Sequence, residues 1–301
     1  MPSHSRKPDA VPITFCTEQI DQKACPGNQI LASQPDWCNT PVLGGQHEWR
    51  HIVRLKGKTA IITGAAGNIG FSTAEVFLRE GANVVLADLR EDSLKEVCGA
   101  LEGDRCVLVA TDVTRTQDLQ ALKDTALSTF GGIDAFFANA GIEGVVAPIE
   151  EYPDDAFDKV MDVNLRSIFL GLKIIAPHIR DGGSIVMTSS IMGIAGTPMN
   201  IGYTASKHAV NGLMRSAAAA YGARGIRVNT VHPGLVESDM LRRLINKRED
   251  PKAFEESMLA KCKIPHFVEP SDIAETVAFL CSDASRYITS QMICIDAGFI
   301  I

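Results

Sequence analysis

Residues 63–70 read Thr-Gly-Ala-Ala-Gly-Asn-Ile-Gly and join a short apolar run, Thr59–Thr63, to a segment with helical periodicity. Such a turn needs glycine where the backbone bends tightly and approaches a pyrophosphate at the N-terminus of a helix. Strand–helix turns use glycine for other reasons too, so the turn alone indicates a dinucleotide site only weakly. The candidate phosphate-binding positions are Gly64, Gly67, Asn68, Ile69 and Gly70.

Short apolar runs alternate with amphipathic segments on both sides of this turn. The apolar runs are Thr59–Thr63, Asn83–Ala87, Cys106–Ala110, Ile133–Ala138, Ser184–Thr188, Ile226–Val231 and Met292–Ile295. Their length suits strands that are buried on both faces. Helical segments such as Ser72–Glu80, Gln117–Phe130 and Ser206–Tyr221 separate them. The alternation predicts an α/β fold, a doubly wound parallel sheet of the Rossmann type with helices on both faces.

The chain divides into two regions that differ in composition and in periodicity. Residues 1–54 are rich in Pro, Cys, Asn and Gln without a sustained period, which predicts an irregular N-terminal extension. For residues 55–301 we predict a single dinucleotide-binding catalytic domain. Within it, residues 237–265 are expected to form a lid.

Composition excludes several classes of function. The net charge of −7 argues against a nucleic-acid partner, whose phosphates require a basic surface. Membrane spans need about 20 consecutive apolar residues, and the chain has no such segment. The first thirty residues lack the apolar run of a signal peptide. The eight cysteines form no C-x-x-C pair, so we expect no metal site and a reduced, cytoplasmic protein.

An acidic residue, Asp88, follows the second apolar run, 18 residues after Gly70. A carboxylate at this position can bind both ribose hydroxyls of an adenosine and repels a 2′-phosphate, which favours NAD over NADP. The alternative interpretation of Asp88 is an acid at a strand end that is only solvated. Arg90 lies two residues further on and is the group that would suit NADP.

The segment Tyr203-Thr-Ala-Ser-Lys207 opens a predicted helix, and the i, i+4 spacing places the phenol and the ammonium on one face. An unperturbed tyrosine, with a pKa of about 10, is a poor base near neutrality. A fixed cation would lower that pKa and make Tyr203 a usable acid or base. The pattern is common by chance, so by itself it fits an exposed helix face better than a catalytic pair.

Together these elements resemble the short-chain dehydrogenase/reductase family, from Leu55 to the end of the chain. Ser190 precedes Tyr203 by 13 residues, the spacing of this family's catalytic serine. The matching elements occur in order: the glycine turn, Asp88, Asp112-Val113, Asn139-Ala140-Gly141, Asn164 in Met-Asp-Val-Asn-Leu, Ser189-Ser190, Tyr203 with Lys207, and Pro233-Gly234.

The resemblance implies a catalytic set of Asn164, Ser190, Tyr203 and Lys207. Tyr203 would transfer the proton, Ser190 would bind the substrate oxygen, Lys207 would bind the nicotinamide ribose, and Asn164 would hold a water of a proton relay. The other implied cofactor contacts are Asp112, Val113, Asn139, Ala140, Gly141, Pro233, Gly234, Val236 and Ser238. The implied activity is NAD-dependent interconversion of a secondary alcohol and a ketone.

Two features depart from the family pattern. The usual turn reads T-G-x-x-x-G-x-G, but Asn68 replaces the second of these glycines; asparagine tolerates positive φ, so we expect the turn to survive. Read as T-G-x-x-G-x-x-G, the turn resembles the extended branch, which includes nucleotide-sugar epimerases and dehydratases. The extension before residue 55 is the second departure. A non-catalytic dinucleotide-binding sensor is the alternative from another class.

Two segments are expected to line the substrate pocket, residues 191–202 and residues 237–265. Their apolar residues are Ile191, Met192, Ile194, Pro198, Met199, Ile201, Met240, Leu241, Leu244, Ile245, Phe254, Met258 and Leu259. They favour an apolar small-molecule substrate such as a terpenoid, a steroid or a polyketide-like ring.

Other polar residues receive simpler interpretations. Arg242, Arg243, Lys247 and Arg248 are expected on the wet face of a helix, with contact to an acidic substrate group as the alternative. His208 is expected on a helix surface, and His232 in packing. The resemblance also implies a homodimer or homotetramer, formed through the helix after Asn164 and the alanines of residues 217–220.

Overall fold

A computed structural model describes residues 53–300 of the chain. Seven parallel strands form one sheet in the order β3-β2-β1-β4-β5-β6-β7. They are β1 Thr59–Thr63, β2 Asn83–Asp88, β3 Cys106–Ala110, β4 Ile133–Ala138, β5 Ile179–Thr188, β6 Arg227–Pro233 and β7 Met292–Ile295. The predicted doubly wound parallel sheet is confirmed. Most of the predicted extension, residues 1–52, lies outside the described residues.

Nine α-helices connect or follow the strands within the described part of the chain. They are α1 Asn68–Arg79, α2 Glu91–Cys98, α3 Thr116–Phe130, α4 Asp154–Met161, α5 Ser167–Ile174, α6 Ile201–Tyr221, α7 Asp239–Asn246, α8 Pro251–Leu259 and α9 Pro270–Cys281. A π-helical turn, Asp162–Arg166, joins α4 to α5. None of the helices in residues 53–300 is long and apolar enough to cross a membrane.

The helices cover the two faces of the sheet and create two apolar cores. On one face, α1, α2 and α9 pack on the sheet through residues such as Phe77, Leu94 and Val277. On the other face, α3, α5 and α6 bury residues such as Leu122 and Met214. Strands covered on both sides must be apolar throughout, which explains why their runs are recognisable in the sequence.

Two strands and two helices differ by more than one residue from the predicted bounds. Strand β5 begins at Ile179 rather than Ser184, because its polar, glycine-containing first half pairs with β4 through a register shift. Strand β6 runs on to Pro233. Helix α1 begins at Asn68 and α6 at Ile201, four and five residues before the predicted starts, since glycines and polar residues obscure a first turn in the sequence.

The chain order of the strands reverses between β1 and β4, which are adjacent in the sheet. Loops after these two strands must leave in opposite directions, and the gap between them is where doubly wound sheets bind ligands. Because all strands are parallel, the residues that follow β1, β2, β4, β5 and β6 lie along the same carboxyl edge of the sheet.

Candidate active site

The glycine turn after β1 is shaped by close backbone contacts. Gly64 has φ +67°, and a Cβ there would lie 2.8 Å from the Ala140 Cα. A Cβ on Gly70 would lie 2.1 Å from the Gly64 carbonyl oxygen. No side chain caps α1, whose N-cap is Gly67, so the N–H groups of its first turn are free to bind an anion.

Asn68 does not have the role that the sequence suggested for it. It is the first residue of α1 and is not among the described residues with positive φ. The left-handed position of the turn is Gly64. Replacing a family glycine with asparagine is therefore tolerated because a helical residue is needed there, and not because asparagine can adopt positive φ.

Asp88 ends β2 and is bound to the glycine turn. Its Oδ2 atom accepts a hydrogen bond from the Ala66 N–H at 3.0 Å, and its Oδ1 atom accepts one from the Leu89 N–H at 2.8 Å. A merely solvated acid would not make the first of these bonds. The carboxylate is thus held beside the N-terminus of α1.

Hydrogen bonds from Asn139 join three adjacent strand ends. Its amide Nδ2 donates to the Gly64 carbonyl at 3.2 Å, and its Oδ1 accepts from the Thr188 hydroxyl at 3.0 Å. The Thr63 hydroxyl accepts from the backbone N–H groups of Asn139 and Ala140. Thr188 was not predicted as a site residue. Its position at the end of an apolar run, two residues before Ser190, could have indicated it.

Ser190 follows β5 and is held by His232. The buried His232 ring contacts the Ser190 carbonyl through Nδ1 at 2.8 Å and the Thr230 hydroxyl through Nε2 at 2.9 Å. Burial lowers the pKa of His232, which favours the neutral ring. The predicted packing role of His232 is confirmed, and the ring additionally fixes the backbone of the candidate catalytic serine.

Tyr203 lies in the first turn of α6 and is partly buried, with its phenol close to the Ser190 side chain. Burial raises the pKa of the phenol, while the contact with Ser190 lowers it and the charge of Glu143 raises it further. The lowering that the sequence suggested is therefore not found in the protein alone, because desolvation of the phenolate outweighs the favourable contacts.

Lys207 lies one helical turn after Tyr203, on the same face, and is only 3% exposed. Its Nζ donates to the Thr188 carbonyl at 2.8 Å and lies 5.5 Å from the centroid of the Tyr203 ring. Burial lowers the pKa of the ammonium to about 8. The shared face predicted from the i, i+4 spacing is confirmed.

Asn164 occupies the π-helical turn between α4 and α5 and is fully buried. Its Oδ1 accepts from the Ile142 N–H at 2.8 Å, and its Nδ2 donates to the Ile142 carbonyl at 2.9 Å and the Ser206 hydroxyl at 3.1 Å. A Cβ on Gly141 would lie 3.3 Å from both the Asn164 Oδ1 and the Lys207 Nζ. Glycine thus keeps open the space between these two groups.

Comparison with known proteins adds to this geometry. A family model described as "Enoyl-(Acyl carrier protein) reductase" matches residues 64–300. A 2,5-dichloro-2,5-cyclohexadiene-1,4-diol dehydrogenase from Sphingobium indicum is 38% identical over 81% of this chain and 98% of its own length. The chain belongs to the short-chain dehydrogenase/reductase family. Members of this family bind a nicotinamide dinucleotide, either NAD or NADP.

Two further proteins are similar to this short-chain dehydrogenase/reductase. A cyclohexanol dehydrogenase from Acinetobacter sp. is 34% identical over 82% of the chain and 96% of its own length. The crystal structure of levodione reductase superposes with a TM-score of 0.77 at 34% identity, covering 81% of this chain and 98% of the other. These relatives are oxidoreductases, and they match the chain over nearly their whole lengths.

The other predicted cofactor residues of this short-chain dehydrogenase/reductase also lie at the carboxyl edge. Asp112 follows β3, and its carboxylate accepts from the N–H and hydroxyl of Thr114. Pro233 ends β6, and at Gly234 a Cβ would lie 2.6 Å from the Asp296 Cα. Val113, Ala140 and Val236 flank these positions.

Ser238 has a structural function in this member of the family. Its hydroxyl accepts from the Leu241 N–H at 3.3 Å and donates to the Val236 carbonyl at 3.1 Å, which makes it the N-cap of α7. Any contribution to the cofactor site is additional to this cap.

The predicted lid contains α7 and α8, and the apolar residues of α7 differ in burial. Leu241 and Ile245 are buried at 7% and 1% exposure, whereas Met240 and Leu244 stay partly exposed. Arg243, Lys247 and Arg248 are exposed, as predicted, and Arg242, with a side chain that is 43% exposed, forms ion pairs with Glu237 and Glu255. His208 is exposed, as predicted.

Proposed function

We propose that this protein is an NAD-dependent oxidoreductase that interconverts a secondary alcohol and a ketone on an apolar, ring-containing small molecule. The convergence of Tyr203, Ser190 and Lys207 at the carboxyl edge carries the proposal. A hydroxyl donor, a phenol and an ammonium arranged around one point form an acid–base site for an alcohol oxygen.

Each side chain has a defined task in this reaction. When bound, the nicotinamide accepts or supplies the hydride at the carbinol carbon. In the oxidation direction, the ionised Tyr203 takes the hydroxyl proton while the Ser190 hydroxyl donates a hydrogen bond to the developing carbonyl oxygen. The Lys207 charge stabilises the phenolate. Asn164 and the space beside Gly141 provide the relay through which the proton reaches solvent.

The choice of NAD rests on Asp88 and the turn it contacts. The free N–H groups of α1 suit the pyrophosphate, and the Asp88 carboxylate retains lone pairs for the ribose hydroxyls. A 2′-phosphate would meet the Asp88 charge. Arg90, the group that would favour NADP, occupies the N-cap position of α2, but its side chain makes no capping hydrogen bond and is exposed.

The apolar character of the substrate is supported by the partly exposed Met240 and Leu244 of the lid. Relatives named for substituted cyclohexadienediol and cyclohexanol substrates also favour a carbocyclic alcohol. The alternatives of an extended-branch epimerase or dehydratase and of a non-catalytic sensor have less support. A sensor requires the turn and Asp88 but not the Ser190, Tyr203 and Lys207 arrangement. The domain boundary at residue 54 and the cytoplasmic location stay predictions.

We also propose a homo-oligomer assembled through the groove between α5 and α6. The groove is lined by Met161, Leu165, Phe169, Ala209, Gly212 and Leu213. Phe169 is 49% exposed there. Of the alanines expected at the interface, Ala217 and Ala218 are buried within the subunit, whereas Ala219 and Ala220 are exposed.

The experiment follows NADH absorbance while purified protein is incubated with NAD and a panel of cyclic and terpenoid secondary alcohols. Tyr203→Phe should abolish turnover because the proton acceptor is lost, whereas NADH affinity, measured by fluorescence titration, should change only a few-fold. More than about a tenth of the wild-type rate in this variant would remove Tyr203 from the mechanism.

A further inference from the structure

The loop after Gly141 carries one acidic residue, Glu143, whose backbone is fastened to the catalytic helix. The Glu143 carbonyl accepts a hydrogen bond from the Asn200 amide at 3.3 Å. Asn200 caps α6 and accepts from the Tyr203 N–H at 3.4 Å. One residue before Glu143, Ile142 is bound to the Asn164 side chain. The loop position of Glu143 is therefore fixed relative to both Tyr203 and Asn164.

The Glu143 carboxylate differs from other partly buried acids of the protein. Glu80, Glu237 and Asp134 each form an ion pair with an arginine. Within residues 53–300, no hydrogen bond or ion pair reaches the Glu143 carboxylate, although the residue is partly buried. Burial raises the pKa of Glu143, and the charges of Arg243 and Lys247 on the lid oppose this rise. A partly buried carboxylate without a protein donor is available to accept a hydrogen bond from a ligand.

We infer that Glu143 is a specificity residue that accepts a hydrogen bond from a second hydroxyl group of the substrate. The inference rests on the proposed function and names its substrate class: ring alcohols with a further hydroxyl, that is, diols or hydroxyketones. Glu143 would then be a polar point in a pocket whose other expected lining residues are largely apolar.

The surrounding charges select a neutral donor. Arg243 and Lys247 already supply positive charge near the carboxylate, and an anionic substrate group would be repelled by Glu143 and the Tyr203 phenolate. A hydroxyl satisfies the carboxylate without adding charge. A substrate hydroxyl that donates to the Glu143 carboxylate would also weaken the repulsion between that carboxylate and the Tyr203 phenolate.

The test compares Glu143→Leu and Glu143→Gln with the unmutated protein on cyclohexanol and on 1,2- and 1,4-cyclohexanediol. Glu143→Leu should lower the ratio of kcat/KM for the better diol to that for cyclohexanol about 10- to 100-fold, the effect of losing a hydrogen bond to a charged group. Glu143→Gln keeps an acceptor and should restore part of the ratio. Glu150→Gln, which removes an exposed acid of the same loop region, should leave the ratio unchanged.

Calorimetric binding of the diol and of cyclohexanol in the presence of NADH separates this inference from the proposed function. Protein that oxidises no secondary alcohol, yet binds the diol more tightly through Glu143, would refute the proposed function and support the inference. Equal losses for diol and cyclohexanol in Glu143→Leu would overturn the inference, because the effect of Glu143 would then not depend on the second hydroxyl group. Binding of neither compound would overturn it too.

Discussion

Tyr203 and Lys207 illustrate how burial acts on individual residues of the site. Desolvation disfavours charge, so it raises the pKa of the Tyr203 phenol and lowers that of the Lys207 ammonium to about 8. Both shifts oppose the phenolate–ammonium pair that the reaction needs. The protein alone therefore holds the two groups in position, and ligands that bind their charged forms must complete the pair.

Burial of Lys207 should make the free energy of unfolding depend measurably on pH. Its pKa is about 8 when folded against a model value of 10.5, so between these values the unfolded chain binds more protons. The free energy of unfolding should therefore rise with pH across this window, by about 3 kcal/mol from this residue. Urea unfolding of the cofactor-free protein and of Lys207→Met would measure it, and identical slopes in the two proteins would contradict the expected role of burial.

Asp88 combines two functions that substitutions can separate. Asp88→Ala should weaken NAD binding and reduce the preference over NADP, because it removes both the ribose acceptor and the repulsion of a 2′-phosphate. Asp88→Asn is the matched variant, since its amide oxygen can still accept from the Ala66 N–H. We expect Asn to retain the turn but lose the discrimination. If the unmutated protein already prefers NADPH, Asp88 is misassigned and Arg90 becomes the candidate for binding the 2′-phosphate.

Among the helices, α7 has one packed face, with Leu241 and Ile245, and one partly exposed face, with Met240 and Leu244. Leu244→Ala should raise KM for a bulky apolar alcohol by roughly 10- to 200-fold, and much less for a small one, if Leu244 contacts substrate. Ile245→Ala is the control, because Ile245 is 1% exposed. It should destabilise the fold by about 2–5 kcal/mol without changing selectivity. Steady-state kinetics and thermal unfolding distinguish a substrate contact from a packing role. If KM for Leu244→Ala rose equally for both substrates, Leu244 would be a packing residue only.

The elements themselves were largely predictable, and the contacts between their ends were not. Fully buried strands such as β2 and β4 appear as apolar runs, so their order and approximate bounds follow from the sequence. The first half of β5 escaped prediction because its exposed residues and Gly182-Gly183 carry no strand signal. Spacing placed Tyr203 and Lys207 on one face, but no pattern indicated that His232 holds Ser190 or that Thr188 links Asn139 to Lys207. These contacts join residues far apart in the chain.

For the whole molecule, the main expectation concerns assembly. If the groove around Phe169 is an interface between subunits, Phe169→Glu should bury an unpaired charge there and reduce the oligomer to smaller species. Sedimentation velocity would compare it with Val97→Glu, a control on α2 at the opposite face of the sheet. An unchanged sedimentation coefficient for Phe169→Glu, or an unmutated protein that is already monomeric, would rule out this surface.

The hydrogen bonds from Gly64 through Asn139 and Thr188 to Lys207 have a thermodynamic consequence. Groups that are already oriented by their neighbours have lost their rotational freedom during folding, so little ordering is left for ligand binding to impose. The reorganisation energy of the reaction should be small for the same reason. Local melting of the β1, β4 and β5 ends would consequently abolish catalysis well before the sheet itself unfolds.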